Sequence, residues 1–288
     1  MGILLVDKPA GVTSHDVVAV TRRALGVGKA GHAGTLDPFA TGLLVLGIGR
    51  ATRLLEYFTG LDKEYEGTAR FGVATDSLDP EGERVAEDDR WKTLTEDRIL
   101  AVAADMVGPL LQTPPAYSAV KVRGVPAHRR VRRGERVELR PREVIVHGMD
   151  VLEVALPEAR FRVACSTGTY VRSLSAELGE RLGTACHLTA LRRTRVGSFQ
   201  VLDAVPLGAV HVGEIGGRAW VGAVPALAHL PCVVVGPREA AMLATGKRVP
   251  SDAPDCGAAM FALPGERLVA VGAVRDGVLE PRKVFHGA

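Results

Sequence analysis

Asp37 stands between a leucine and a proline in GHAGTLDPFATGLLVLGIG, residues 31–49, where a Gly-, Thr- and Ala-rich loop gives way to an apolar run. Pro38 biases the aspartate away from the helical region, so its side chain projects from a loop. A carboxylate partly withdrawn from water can accept a proton or attack carbon. The same position also suits a turn-forming aspartate bonded to its own backbone. His32, five residues earlier, can contact a ligand or act as an acid, or can simply be solvated. Tyr65 alternates onto the core side of EYEGTARFG, where it either packs or presents a ring to a flat substrate. Arg172 falls at the buried edge of a helical stretch, one residue after its first apolar position. A guanidinium there needs an anion. The helix's own positive end does not supply one, so the partner is a carboxylate such as Asp37 or a phosphate, unless the arginine is exposed. Asp76 and Asp79 in TDSLDPEG lie close together but lack the further ligands of a calcium loop, and they read as turn residues.

Other chemistries have no anchor in the chain. The four cysteines, at 165, 186, 232 and 256, form no C-x-x-C pair and no zinc spacing. There is no P-loop, no strand-linked G-x-G-x-x-G and no G-x-S-x-G elbow. Neither a metal nor another cofactor is expected. The start, MGILLVDKPAG, lacks a basic leader. The longest apolar run is far below the roughly 20 residues that span a bilayer. Reduced thiols and a cytoplasmic, membrane-free protein are the expectation.

The elements that must hold these residues follow from periodicity. ILLVDK is a short buried strand. Ser14 looks like the N-cap of a helix that presents Val17, Val18 and Leu25 on one face and stops at Gly26. EYEGTARFG alternates as a half-buried strand, and TDSLDPEGE is a turn. A helix over 95–107 places Ile99, Leu100, Ala103 and Met106 on one side. Strands are expected at about 143–154 and 159–165, a helix over 169–182 with Val171, Leu174, Leu178 and Leu182 as its stripe, and a strand through HLTALRRTRVGSF. Residues 208–231, rich in Gly, Ala and Pro, read as a linker. Beyond them CVVV, MFALP, RLVAVGAV and VLEPRKVF are short strands, RDG a tight turn, and PREAAMLATGK a short helix. The fold class is α+β: a mixed, largely antiparallel sheet with flanking helices over residues 1–230, and a small β-barrel over 231–288. With 288 residues, 47% hydrophobic and 24% charged, the chain can bury a sizeable core. Aromatics are 5%, so that core is built from Val, Leu and Ala.

The charge is unevenly spread. Residues 121–142 hold nine Lys and Arg against two Glu, a local excess of seven. The net charge is +3, so the rest of the chain sums to −4. Such a segment is either a solvated loop or a footprint for a polyanion.

Taken in order, GHAGTLDPFATGLLVLGIGRATR, KEYEGTARFG with TDSLDPEG, PPAYSAVKV, GTYVRSL and LRRTRVGSF resemble bacterial tRNA pseudouridine-55 synthases of the TruB type, over roughly residues 2–200. The resemblance implies a pseudouridine synthase fold and isomerisation of uridine to pseudouridine in the T loop of tRNA. It makes Asp37 the catalytic carboxylate, Tyr65 the ring that stacks on the flipped uracil, and Arg172 the partner of Asp37. Tyr170 and Leu191 would line the base pocket, His32 would help extrude the nucleotide, and Lys8 would lie near the site. The basic segment becomes an inserted arm over the T-stem phosphates, with Lys121, Arg123, Arg129, Arg130, Arg132 and Arg133 as its backbone contacts. In that arm Pro126 and His128 stand where the family carries a basic residue and a tyrosine. The C-terminal barrel resembles a PUA domain suited to the acceptor end of tRNA. No obligate protein partner is implied.

Two other readings compete. One is a catalytically silent tRNA-binding or folding protein on the same scaffold, from which Asp37 discriminates because a silent relative could lose it freely. The other is a retaining glycosidase-like hydrolase using Asp37 and Asp79, which the low aromatic content disfavours.

Overall fold

The computed structural model describes residues 2–118, 120–122, 124–131, 133–135, 137–265 and 267–285. Two positions of the basic segment named above, Arg123 and Arg132, and the side chain of His128 lie outside the described residues.

An eleven-stranded mixed sheet forms the body. Its strands, in chain order, include β1 (Gly2–Lys8), β2 (Ala30–His32), β3 (Thr41–Ile48), β4 (Lys63–Phe71), β5 (Gly108–Gln112), β6 (Arg142–Ala155), β7 (Glu158–Cys165), β8 (Cys186–Val196), β9 (Val205–Pro206) and β10 (Trp220–Val221). The order across the sheet is β9-β1-β3-β8-β4-β7-β6-β5, with β2 alongside β3 and β10 alongside β1. The β1–β9 and β3–β8 pairings are parallel; those joining β8, β4, β7, β6 and β5 are antiparallel.

The apolar runs at the start of the chain are explained by cover on both faces. Ile3 and Leu5 of β1, with Leu43 and Val45 of β3, pack on one side. Leu4, Val6, Leu44 and Leu46 pack on the other, against Val17 and Val18 of helix α1 (Ser14–Ala24). A second core lies under β4, β7 and β8, where Tyr65, Phe71, Phe161 and Leu188 meet helix α2 (Glu96–Asp105) and helix α3 (Val171–Leu182) through Ile99, Leu174 and Leu178.

Several local expectations need correction. The N-cap of α1 is Thr13, not Ser14. Its hydroxyl accepts the Asp16 N–H and the Asp16 carboxylate accepts the Thr13 N–H, a reciprocal box of the kind whose cap contributes about 1 kcal/mol. Ser14 instead accepts the Leu36 N–H through its hydroxyl, at 2.9 Å, so its oxygen is used across the fold. Leu100, expected on the buried side of α2, is 41% exposed, because Ile99 and Ala103 carry the contact with the sheet. Residues 208–231 are not a free linker. Trp220 and Val221 pair with Leu4 and Ile3 of β1, and Ala219, Ala226 and Leu227 are buried. Their Gly and Pro content makes short turns packed onto the sheet edge.

The C-terminal unit is a curled five-stranded sheet in the order β11 (Cys232–Val234), β13 (Cys256–Leu263), β14 (Arg267–Arg275), β15 (Val278–Val284), β12 (Val249–Pro250), with helix α4 (Pro237–Ala244) against it. It has a core of its own around Leu243, Phe261 and Val274. Met260, Leu268, Val271 and Phe285, however, join the cluster of Ile3, Leu43 and Phe58 in the main body. Among the described residues no helix is long and apolar enough to cross a membrane.

Candidate active site

Asp37 lies in the loop between β2 and β3, with its side chain 34% exposed. The loop is held from three sides. The Gly11 N–H donates to the Pro38 carbonyl at 2.9 Å. The Ser14 hydroxyl serves both the N–H and the carbonyl of Leu36. The Lys8 ammonium, fully buried, donates to the carbonyls of Pro9, Val12 and Pro38 at 2.9, 2.7 and 3.1 Å. Burial pulls Lys8 down to about 8, against the attraction of Asp37. Lys8 thus reaches the site through backbone, tying its own turn to the turn that carries Asp37.

Arg172 enters from the first turn of α3 with its side chain 4% exposed. Its Nε lies 3.0 Å from Asp37 Oδ2, and its Nη2 donates to Asp37 Oδ1 at 3.3 Å. Its Nη1 donates to Asp79 Oδ2 and to the Ser77 carbonyl, both at 2.9 Å. Nη2 also donates to the Tyr117 carbonyl at 2.9 Å. One guanidinium thus lies between two carboxylates and two carbonyls, an arrangement that its planar fork suits and an ammonium does not. The position of Arg172 demanded an anion, and two carboxylates, Asp37 and Asp79, meet it.

Asp79 reads from sequence as a turn residue, and it does cap its turn: its Oδ1 accepts the Ser77 hydroxyl and the Glu81 N–H, at 2.5 and 3.0 Å. Its second oxygen is the one that meets Arg172. At 4% exposure it is a buried carboxylate of the site. The sequence carried one signal of this, two acids within four residues in a segment that lies between two of the chemistry-bearing strands. Asp76 stays at the surface, accepting the Glu83 N–H and the Tyr117 hydroxyl.

Burial raises the pKa of Asp37 above its ordinary 3.8; Arg172 and Lys8 pull it down, and Asp79 pushes it up. Burial also raises Tyr65, whose ring packs among Leu36, Ala69 and Leu191 and whose phenol feels Arg193. Tyr65 is therefore a neutral, buried phenol. His32, on β2, is lowered by burial and by Arg193, so it is neutral at pH 7. Tyr170 is the residue before α3; its N–H donates to Gln112 Oε1 at 2.7 Å and its carbonyl accepts from Gln112 Nε2 at 3.1 Å. Leu191 lies on β8, paired with Gly67 of β4.

A cleft of about 600 Å³ adjoins this cluster, lined among others by Phe39, Thr41, Glu81, Thr68 and Leu191. Of the expected pocket residues only Leu191 lines it; Asp37 and Tyr65 adjoin it through their near chain neighbours Phe39 and Glu66, and Arg172, His32 and Tyr170 do not line it. Among the described residues no cluster of His, Cys, Asp and Glu could hold a metal ion.

In the basic segment, residues 121–122 and 125–126 form a small hairpin followed by a short helix over 127–131. Lys121, Arg129 and Arg133 are exposed. Arg130 is not free: its Nε lies 2.6 Å from Glu135 Oε2.

The family model described as TruB family pseudouridylate synthase (N terminal domain) matches residues 22–171. The chain is 50% identical over 209 residues to a protein of Opitutus terrae named tRNA pseudouridine synthase B, covering 73% of this chain and 86% of that one. It is 44% identical to the protein of the same name from Thermobifida fusca, over 100% of this chain and 99% of that one. Among solved structures, a chain in an H/ACA ribonucleoprotein bound to a substrate RNA containing 2'-deoxyuridine matches with a TM-score of 0.75 and 25% identity, over 99% of this chain and 85% of that chain.

Proposed function

The chain belongs to the TruB family of pseudouridylate synthases, and on that premise we propose that it isomerises uridine to pseudouridine in tRNA, at position 55 of the T loop. The observation that carries the proposal is the half-buried Asp37 carboxylate gripped by Arg172 beside an open cleft. The reaction breaks the glycosidic C–N bond, turns the base and rejoins it through C5. It is redox-neutral and transfers nothing, so the chain's own side chains suffice. The uridine must first leave the RNA stack, which costs a few kcal/mol. Stacking on Tyr65 and contacts from Leu191 and Tyr170 offset that cost. His32, neutral and at the loop's entrance, can occupy the space that the nucleotide leaves. Asp37 then loosens the bond by acting at the ribose C1′ or on the base, as an anion that Arg172 holds in one orientation.

The test is incubation with an unmodified tRNA transcript, followed by mapping of pseudouridine. Formation at position 55 is expected; a transcript that stays unmodified removes the proposal, and leaves the silent tRNA-binding reading in its place.

Because burial raises Asp37, the active anion is lost on acidification sooner than an ordinary aspartate would be. The acid limb of the single-turnover rate is expected to have its midpoint above 3.8. Rate constants measured on stably folded enzyme across that range check this. A midpoint at or below the ordinary value would show that Arg172 outweighs burial.

The arm and the C-terminal sheet complete the reading. Lys121, Arg129 and Arg133, exposed on the arm, together with Arg123 and Arg132, would contact T-stem phosphates, and the C-terminal unit would take the acceptor end. Reversing charge at Arg129, Arg130, Arg132 and Arg133 together is expected to weaken tRNA binding and flatten its salt dependence, by roughly 0.7 to 0.9 in log–log slope for each phosphate that is no longer neutralised. Among single reversals Arg130→Glu is expected to do least, since its charge already meets Glu135. Filter binding across a salt series measures both, and an unchanged slope would mean that the arm does not touch phosphates.

A further inference from the structure

Arg193 is one of the largest side chains in the protein to be fully buried. It lies on β8, two residues after Leu191, in register with Gly42 of β3 on one side and Tyr65 of β4 on the other. A buried guanidinium normally has a carboxylate. Among the described residues none pairs with Arg193. Its donors go to the Tyr65 phenol and to backbone: Nε to the Leu43 carbonyl at 2.8 Å, Nη2 to the Gly34 carbonyl at 3.1 Å, and Nη1 to the Thr35 carbonyl at 3.4 Å. Leu43 follows Asp37 by six residues, and Gly34 and Thr35 precede it by three and two. The three carbonyls are therefore on the two legs of the catalytic loop, one on each side of the carboxylate.

The legs are shaped for this contact. Gly42 has φ +100°, and a Cβ there would lie 2.3 Å from the Arg193 carbonyl oxygen, so only glycine allows β3 to lie this close to β8. Gly34, at φ +93°, presents its bare face to Nη1, where a Cβ would sit 3.5 Å away. A fork with several fixed donors can hold two strands of backbone at a set separation; an ammonium on a flexible stem cannot. A displacement of about 1 Å in a reacting group can lower a rate by about 100-fold, so the separation of these legs matters for Asp37.

We propose that Arg193 is a positioning residue: its guanidinium bridges the two legs of the Asp37 loop and so sets where the carboxylate stands relative to Arg172 and the bound uridine. The proposal rests on the reading of Asp37 as the catalytic group. It predicts that the shape of the side chain matters beyond its charge.

The experiment compares Arg193→Lys with the wild-type protein by three readouts: the single-turnover rate of tritium release from C5-labelled uridine in tRNA, the tRNA Kd by filter binding, and the melting temperature. The rate is expected to fall at least tenfold with the Kd within twofold and the fold retained, since the charge stays and only the bridge is lost. Gly34→Ala strains the loop leg itself, at φ +93°, while its Cβ meets Nη1 only at ordinary contact distance and the buried cation is unaltered; a fall in rate with unchanged Kd is expected. The double variant is expected to be no more than about threefold slower than the slower single one, because both act on one separation. A wild-type rate in either folded single variant, or fully multiplicative losses, would overturn the proposal. If Arg193→Lys does not fold, Arg193→Gln, which keeps a planar donor group without the charge, takes its place, and a wild-type rate in Gly34→Ala still overturns the proposal. Wild-type turnover and its loss in Asp37→Asn are read separately, so a failure here does not touch the assignment of the reaction.

Discussion

Asp37→Asn is expected to abolish isomerisation, with a loss on the order of 10⁴-fold or more, the scale seen when a central catalytic group is removed. Binding of tRNA is expected to stay within a few-fold of wild type. The amide keeps the size of the side chain and can still accept from Arg172, but it carries no charge to place beside the ribose. Tritium release measures the first quantity and filter binding the second. The structure adds an expectation about folding. Burial raises the pKa of Asp37, so the fold favours its protonated form. For a group with that sign the stability contribution is fully present below the unfolded pKa and is lost as pH rises through the folded value. At neutral pH the ionised carboxylate therefore opposes folding. Asn at this position is expected to give an equal or higher melting temperature at pH 7, an instance of a site that trades stability for activity. Substantial turnover by the variant would defeat the assignment of Asp37, and a large fall in melting temperature would mean that its ion pair outweighs its desolvation.

Arg172 has the second large expected effect, and a different profile. Its guanidinium answers two carboxylates and two carbonyls at 4% side-chain exposure. Arg172→Ala strands Asp79 as a buried unpaired acid, a change expected to cost about 3–5 kcal/mol of stability. Arg172→Lys keeps one charge and loses the fork. It is expected to fold with a modest loss of melting temperature and to be at least 100-fold slower, since a single ammonium cannot hold Asp37 in register while satisfying Asp79. Thermal melting of both variants and single-turnover rates of the lysine variant check this. Wild-type catalysis by Arg172→Lys would mean that charge alone is required at this position.

The two variants also show what could be read before the structure and what could not. The pairing of Arg172 with an anion followed from one fact, a cation placed at the buried edge of an amphipathic helix. The alternation through Tyr65 and Phe71 fixed which face of β4 is buried, and the structure has that face under α3. Those inferences rest on periodicity within one element. Asp79 and Arg193 escaped because their roles depend on partners 93 and 150 residues away in sequence. An aspartate in a Pro- and Gly-containing turn looks the same whether its second oxygen meets water or a guanidinium. An arginine in the basic run LRRTR looks like surface decoration until β8 is placed between β3 and β4. The same limit applies to residues 208–231, where Gly and Pro suggest slack and in fact make a tight edge against β1. Thr13 and Ser14 differ only in which hydroxyl faces its own helix, a matter that the loop at Leu36 decides.

The shared cluster of Met260, Leu268, Val271 and Phe285 with Ile3, Leu43 and Phe58 has a mechanical consequence. The closing strand is bolted as well as packed: Arg53 donates to the Val284 carbonyl at 2.8 Å, and Lys283 donates to the Arg53 carbonyl at 2.7 Å. The tail is therefore fastened to the body at its last strand, by packing and by hydrogen bonds in both directions. If both ends of an RNA are gripped at once, opening the protein like a caliper would break that seam, so the distance between the two grips is set by the same contacts that hold the tail.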